Sequence, residues 1–435
     1  MLKGPRFAPL QTYRLMNDPY RYYAAMRDRY GPEYIVPALN GRVLVVTTPE
    51  AVKEVFTAPP ETFDPFAAEA TGPVLGTFSV ISATGEAHKK ARKLLMPPFH
   101  GARMRAYGDA MRQVARDELA RVTPGQAFPA HDLTRRISLE VILRTVFGVE
   151  GEVAARARVQ LEAVLSGFSP VYLFIRALQQ RAFPTWRRFL EARAELAEHV
   201  RVSTAARRAE GANGREDILT MLALAEHDDG SKLSDAEVTD HLLTLLVAGH
   251  ETTAIAVAWA LYWLARTPEA LATLREELDA NQGADPEATA KLPYLSAVCD
   301  ESLRLNTIVP DPVRMLARPL TVRGHALEPK TGVCLATDVI HQSPALYPEP
   351  SRFRPERFLD KKPSPFEFFP FGGGHRRCIG AAFSDFEARI TVAETVRTFD
   401  LRLVHDDPEP VVRRNVTMGP ARGVPIVMTP RGRRS

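Results

Sequence analysis

The stretch Phe371-Gly-Gly-Gly-His-Arg-Arg-Cys378-Ile-Gly380 decides how this chain is read. Physically it is a glycine-rich loop that delivers a cysteine to the start of a helix. Glycines reach backbone conformations closed to other residues and permit close approach of a flat ligand. Successive N–H groups of such a loop, with the positive end of the following helix, stabilise an anionic sulfur. A thiolate placed there suits a nucleophile or a metal ligand. Phosphate cradling fits less well, because no lysine followed by Ser or Thr is present and the cysteine would be idle. Cys378 is one of only three cysteines, with Cys299 and Cys334. An odd, small count excludes a disulfide framework and fits a reducing compartment, hence a cytoplasmic protein.

Around that loop the 435 residues are 45% hydrophobic and 25% charged, ordinary for a soluble globular chain. The balance of 56 basic to 52 acidic residues, a net +4, is too mild to argue for nucleic-acid binding. The opening MLKGPRFAPL has no apolar core, so no signal peptide or membrane anchor is expected. Leu242–Ala265 is apolar enough to span a bilayer, yet His250, Glu251, Thr252 and Thr253 near its middle make a buried helix the better reading. Ser234-Asp-Ala-Glu237 is a capping box opening that helix, and Thr267-Pro268 caps and starts the next. Asn40-Gly41, between Ile35–Leu39 and Arg42–Thr47, predicts a hairpin, with Pro37 confining its first strand to a sheet edge. From about Ala87 to Leu305 the pattern is helical. Beyond it come short strands (Leu320–Val322, Val333–Ala336), then a run from Ser343 to Pro370 with seven prolines. A last helix starts after Cys378 and runs towards Phe399, with strands at Leu401–Val404 and Val424–Met428. No polar linker or repeat divides the chain, so residues 1–435 read as one mainly α unit with small β-sheets.

Three further blocks carry chemistry. Glu301-Ser-Leu-Arg304 places an acid and a base on one helical face, where they can pair. Ala248-Gly249-His250-Glu251-Thr252-Thr253 puts small residues, an acid and alcohols inside the long apolar helix. His88-Lys-Lys-Ala-Arg92 spaces two donors one turn apart, which on its own reads as a solvated basic face. The cysteine loop resembles the haem-binding loop of the cytochromes P-450, Phe-x-x-Gly-x-Arg-x-Cys-x-Gly, at every fixed position. Five fixed positions at about 5% usage each match by chance in roughly one chain in ten thousand of this length. The other blocks resemble that family's Glu-x-x-Arg helix, its Ala-Gly-x-Asp/Glu-Thr oxygen-activation motif and its propionate-binding helix. Phe353-Arg-Pro-Glu-Arg-Phe358 resembles the family's Pro-Glu-Arg-Phe segment.

The resemblance implies the family's fold, a triangular helical prism with haem b between the long central helix and the helix after the cysteine loop. It implies Cys378 as the axial thiolate on iron, Phe371 packed near the sulfur, and Gly380 letting the next helix lie against the ring. Ala248 and Gly249 would leave room for dioxygen. Thr252 would hydrogen-bond the dioxygen and Glu251 supply protons, general acid catalysis in form. Arg376, His88, Arg92 and Arg314 would bind the haem propionates, for which a planar guanidinium fork is suited. Arg357 would complete a buried cluster with Glu301 and Arg304. His375 and Arg377 fall at variable positions of the loop and receive no role. His100, Cys299 and Cys334 read as structural or surface residues.

The expected activity is a haem-thiolate monooxygenase that hydroxylates or epoxidises a lipophilic small molecule such as a fatty acid, terpenoid or steroid. The pocket would lie under Phe66–Ser82, Leu161–Trp186, Thr307–Val313 and Val416–Met418, with Phe78, Phe168, Val247, Val309 and Met418 as lining residues. No flavin, nicotinamide or iron–sulfur signature occurs, so electrons from NAD(P)H would arrive through a ferredoxin or flavodoxin and its reductase. Lys89, Lys90, Arg92, Lys93, Arg103, Arg105 and Arg377 offer a basic docking patch. The protein is expected to be a monomer. A peroxygenase or isomerase on the same fold, or a non-enzymatic haem sensor or lipid binder, are the competing readings; Glu251-Thr252 argues against the peroxygenase branch.

Overall fold

Ser234 starts the helix Asp235–Arg266 as its sequence dictates. Its hydroxyl accepts the Glu237 N–H at 3.2 Å while the Glu237 carboxylate accepts the Ser234 N–H at 2.8 Å. From Ala254 to Leu264 side chains are buried on nearly every side, the pattern of a helix running through a core. Among the described residues it is the one helix long and apolar enough to cross a membrane, and 67% of its most apolar stretch lies inside the protein. A computed structural model describes residues 2–38, 41–65, 68–99, 101–167, 178–414 and 416–432. The readings made for Asn40, His100, Phe168 and the apolar segment 169–175 lie outside these described residues.

Several helices pack around the central one. Ala130–Thr145 and Ala381–Thr398 pack directly on it, and Ala102–Ala120 packs on both of those. Pro184–Glu210 also lies against it. Their apolar faces form the largest core, including Leu133, Ile137, Val141, Leu246, Ile255, Leu261, Ile390 and Val396. Thr267 stands at the N-cap of Pro268–Ala280 as expected, with Pro268 in the first turn, but its side chain caps nothing. Its ψ of 82° departs from the extended geometry that aims a cap at the first free N–H groups.

The strands are β1 (Glu33–Ala38), β2 (Gly41–Val46), β3 (Phe63–Pro65), β4 (Ala127–Pro129), β5 (Val313–Leu316), β6 (Leu320–Val322), β7 (His325–Leu327), β8 (Gly332–Leu335), β9 (Phe399–Leu403), β10 (Val411–Arg414), β11 (Thr417–Pro420) and β12 (Pro425–Pro430). One sheet has the order β1-β2-β8-β5-β3, with β2 and β8 parallel and the other pairs antiparallel. Pro37 sits on its edge strand, as a residue without an N–H must. β4-β12-β9, β6-β7 and β10-β11 form the remaining small sheets.

The proline-rich run stays packed without a ladder of its own. Tyr347, Phe353 and Phe369 are buried. Phe353 stacks on Trp263 of the central helix, with ring centroids 5.5 Å apart and planes 5° apart. The Tyr347 hydroxyl donates to the Glu367 carbonyl at 3.1 Å. The segment that leads into Phe371 is thereby fixed before the cysteine loop begins.

Candidate functional site

The loop takes its shape from its glycines. Gly372 and Gly374 have φ of 65° and 62°, in the left-handed region. A Cβ on Gly373 would come within 2.3 Å of the Phe56 ring, and one on Gly374 within 2.5 Å of the Phe56 carbonyl oxygen. The Cys378 N–H donates to the Phe371 carbonyl at 2.9 Å, closing the loop, and the Ser384 N–H donates to the Gly380 carbonyl at 2.9 Å, opening the next helix. Cys299 and Cys334 are buried, whereas Cys378 is exposed. Its thiol is nevertheless pushed up by the protein mass around it, against the pull of the Gly380 N–H, Arg377 and Arg92. The thiol is thus accessible yet surrounded by enough protein to be partly desolvated.

The central helix faces that helix start with its own opening. Ala248 is exposed although Leu246 and His250 are buried. A Cβ on Gly249 would meet only Ile142 Cδ1, at 3.9 Å. Consecutive residues on a helix point about 100° apart, so the four residues that follow have four different surroundings. His250 is buried, with Nε2 3.2 Å from the Arg135 carbonyl oxygen, and burial pushes its imidazole down to about 4. Glu251 turns to the Ala130–Thr145 helix, 3.4 Å from His131 Nε2 and 3.2 Å from Arg135 Nε. Burial raises its carboxyl, opposed by Arg135 and Arg414. Thr252 donates to the Ala248 carbonyl at 2.7 Å. Thr253 donates to Ser384 Oγ at 3.0 Å, tying the central helix to the helix after Cys378.

Beside the loop lies a group of cations. Arg314 donates to the Gly373 carbonyl at 2.6 Å and lies over the rings of Phe56 and Phe63. Arg376 donates to the Ala83 carbonyl at 2.7 Å, and Arg92 to the Arg377 carbonyl at 2.7 Å. His88 is buried and depressed to about 3, by desolvation and then by Arg376 and Arg92. Burial, followed by their cationic neighbours, also lowers Arg314 and Arg376 to about 10 each. Among the described residues none of these three arginines forms an ion pair. The structure therefore gathers all four residues expected to bind propionates, with the exposed Asp64 acting on Arg376 only from a distance beyond an ion pair. A disc carrying two carboxylates and an iron ion fits this setting: carboxylates for the cations, a metal for the exposed thiol, and an exposed Ala248 on the helix that Thr253 ties to the one after Cys378.

Comparison with known proteins agrees. A family model described as cytochrome P-450 matches residues 2–426. The chain belongs to the cytochrome P-450 family. It is 34% identical over 410 residues to cytochrome P-450 137 of Mycobacterium tuberculosis, covering 92% of this chain and 84% of that one. To cytochrome P-450 135B1 of Mycobacterium bovis it is 33% identical over 433 residues, covering 97% and 90%. A retinoic-acid-bound cyanobacterial structure superposes with a TM-score of 0.87 at 24% identity, covering 99% of this chain and 100% of that one. A cytochrome P-450DA haem domain gives 0.87 at 22%, covering 99% and 97%. The family supplies haem and dioxygen chemistry, and its members generally need redox partners.

The Glu-x-x-Arg brace of this P-450 is complete. Glu301 and Arg304 are fully buried, with Arg304 Nε and Nη2 donating to the two carboxylate oxygens at 2.7 and 2.9 Å. Arg357 Nε and the Arg354 N–H donate to Glu301 Oε1 at 2.9 and 3.0 Å. Arg304 also donates to the carbonyls of His341 and Pro350, both at 2.8 Å, which anchors the proline-rich run.

The expected pocket residues are placed less uniformly. Val247 and Val309 are half-buried against the main core. Met418 is buried, and its N–H donates to the Ile308 carbonyl at 2.8 Å, joining the segments 307–313 and 416–418. Phe78 is 43% exposed, its N–H held at 3.2 Å by Asp240 of the central helix. Sequence reasoning missed His131, Arg135 and Arg414 around Glu251, and it gave His375 no role although His375 joins the cation group. Distance along the chain hid the first three. For His375 the one available signal was its place beside Arg376.

Proposed function

We propose that this P-450 oxidises a lipophilic small molecule, as one haem domain in the cytoplasm, with electrons passed from NAD(P)H through a ferredoxin or flavodoxin and its reductase. The observation that carries the site reading is the exposed Cys378 beside buried Arg314 and half-buried Arg92 and Arg376, none of which forms an ion pair among the described residues. Cys378 would bind the iron, whose charge holds a coordinating thiol deprotonated. His88, Arg92, Arg314 and Arg376 would hold the two propionates, with Phe371 against the sulfur and Gly380 and Ala248 leaving room for the ring. Bound haem supplies dioxygen activation.

The chain's own residues then manage protons and water. Thr252 already spends its hydroxyl proton on the Ala248 carbonyl, so its oxygen remains free to accept a hydrogen bond from the gap side. Glu251, on the side of the helix that meets Ala130–Thr145, keeps 25% of its side chain exposed and so exchanges protons with solvent directly, its carboxyl raised by burial and held by Arg135. Phe, Val and Met side chains near 78, 247, 309 and 418 support an apolar substrate. In the docking patch, Lys89 pairs with Glu86, Lys93 with Asp228 and Arg105 with Glu287. Lys90 and Arg377, both exposed, are thus the residues most available to an acidic partner.

The test has two stages. Haem-loaded protein is screened by spectral shift against fatty acids, terpenes, steroids and retinoids. Hits are then turned over under ¹⁸O₂ with NADPH, a ferredoxin and its reductase. The expected product carries one ¹⁸O atom, at a rate that falls with salt and on Lys90→Glu. Product formed only with added peroxide, or only from polar compounds, would refute the proposal.

A further inference from the structure

His375 occupies the one-turn 3-10 segment Gly374–Arg376, whose placement is set by Gly374 against the Phe56 carbonyl. Its ring lies parallel to Phe63, with centroids 6.0 Å apart and planes 23° apart, and it meets His88 edge-on at 6.0 Å and 89°. Two aromatic neighbours therefore fix the imidazole's orientation. Both of its ring nitrogens are buried and neither has a hydrogen-bond partner. The charged groups acting on it are Arg314, Arg376 and Arg92, opposed by Glu61, and Asp64 acts on neighbouring Arg376; both acids are exposed.

That arrangement is costly as it stands. A buried, unpaired N–H forfeits its hydration, and here the nearby arginines cannot relieve it, because they too are donors. Arg92, Arg314 and Arg376 all turn their N–H groups to backbone carbonyls. What is missing at the ring is an acceptor, and the negative charge around it is confined to exposed, distant carboxylates. A carboxylate at the ring supplies both an acceptor and a near negative charge. Resting on the haem reading above, we infer that His375 donates an imidazole N–H to a haem propionate, as a neutral fifth partner beside His88, Arg92, Arg314 and Arg376. It is a positioning residue: the donor is held rigidly by Phe63 and His88, so little freedom is lost when the bond forms.

The test uses the full chain reconstituted either with haem or with haem dimethyl ester, which keeps the ring and iron but has no carboxylates. The rate of haem transfer to excess apomyoglobin is followed in the Soret band. His375→Phe keeps an aromatic ring between Phe63 and His88 and removes the N–H; His375→Leu repeats the test with a smaller side chain; His375→Gln restores a donor. With haem, the Phe and Leu variants should lose the cofactor about tenfold faster than wild type, equivalent to about 1.4 kcal/mol, and Gln should recover most of the difference. With the dimethyl ester, wild type and variants should release at the same rate. Equal rates with haem would overturn the inference. So would an acceleration that persists with the ester, because His375 would then merely pack the loop. A wild-type protein that takes up haem without a thiolate-type carbonyl spectrum would instead sink the haem-thiolate reading itself.

Discussion

Glu301→Gln should destabilise the protein far more than its chemical subtlety suggests. Glu301 is fully buried and its two oxygens accept four N–H groups: three at Oε1, from Arg304, Arg354 and Arg357, and one at Oε2, from Arg304. A glutamine has one oxygen and one NH₂. Placing its oxygen at Oε1 keeps three bonds but points an N–H at Arg304 Nε, which is itself a donor. Either orientation also leaves Arg304, fully buried, and Arg357, whose side chain is 8% exposed, without an anion. Removing one partner from such a cluster costs about 3–5 kcal/mol. Unfolding entropy of about 2.1 cal/mol/K per residue gives roughly 0.9 kcal/mol/K for a chain of this length, so Tm should fall by about 3–6 °C. The assay is thermal loss of the Soret band of haem-loaded protein at one fixed scan rate. Glu349→Gln is the control: it removes a carboxylate from the exposed Glu349–Arg352 pair and should change Tm by less than about 1 °C. A Glu301→Gln variant that melts with that control would refute the reasoning.

Cys378→Ala should fold and abolish the red-shifted carbonyl band of the reduced protein; survival of that band in difference spectra would remove Cys378 as the ligand. Gly374→Ala should prevent normal haem incorporation, because its Cβ would lie 2.5 Å from the Phe56 carbonyl at a φ of 62°; a wild-type Soret-to-protein ratio would show that the loop can relax. Thr252→Ala should keep its haem content and divert reductant into peroxide, while Glu251→Gln should slow product formation with a larger solvent isotope effect. Unchanged coupling and isotope effect would argue that neither handles protons. Glu387 is buried and pushed up to about 8, so it is protonated in the folded state when the unfolded chain has already released its proton. Its contribution must therefore decline as pH rises from about 4.5 to 8, because the unfolded state binds fewer protons across that window. Glu387→Gln should gain denaturant stability over wild type at pH 8 relative to pH 5, and parallel pH profiles would contradict the shift.

What the sequence disclosed depended on how local each cause was. The Ser234–Glu237 capping box, the β1–β2 pairing and the spacing of Glu301 and Arg304 are decided within a few residues, and each forms in the structure. The cysteine loop is equally local, since its glycines answer to a backbone conformation. Arg357 joined the brace through a segment with its own recognisable sequence. His131 and Arg135 had no such signal. They reach Glu251 only because two helices pack at one particular rotation, and nothing in either helix alone announces that register. His375 failed for a different reason: a loop position that tolerates many residues in general acquires a role here because Phe63 and His88, from two other elements, close around it.

The two buried charge clusters resolve the same physical problem in opposite ways, and the contrast explains how fold and cofactor are coupled. Around Glu301 the acid is part of the chain, so the cluster is neutralised as soon as the Pro293–Leu305 helix meets the proline-rich run. It can therefore fix the approach to Phe371 before any ligand is present. Around His375 the acids in reach, Glu61 and Asp64, are both exposed, while Arg314 is buried and Arg376 half-buried, and neither arginine forms an ion pair among the described residues. On the proposed haem reading, a ligand that brings its own negative charge would offset the desolvation of both arginines. Binding to the native state alone raises stability by RT ln(1 + [L]/Kd). On the proposed reading, a brace within the chain and a cradle completed by the cofactor would divide the work: the first sets where the Cys378 loop stands, and the second would favour a dianionic disc.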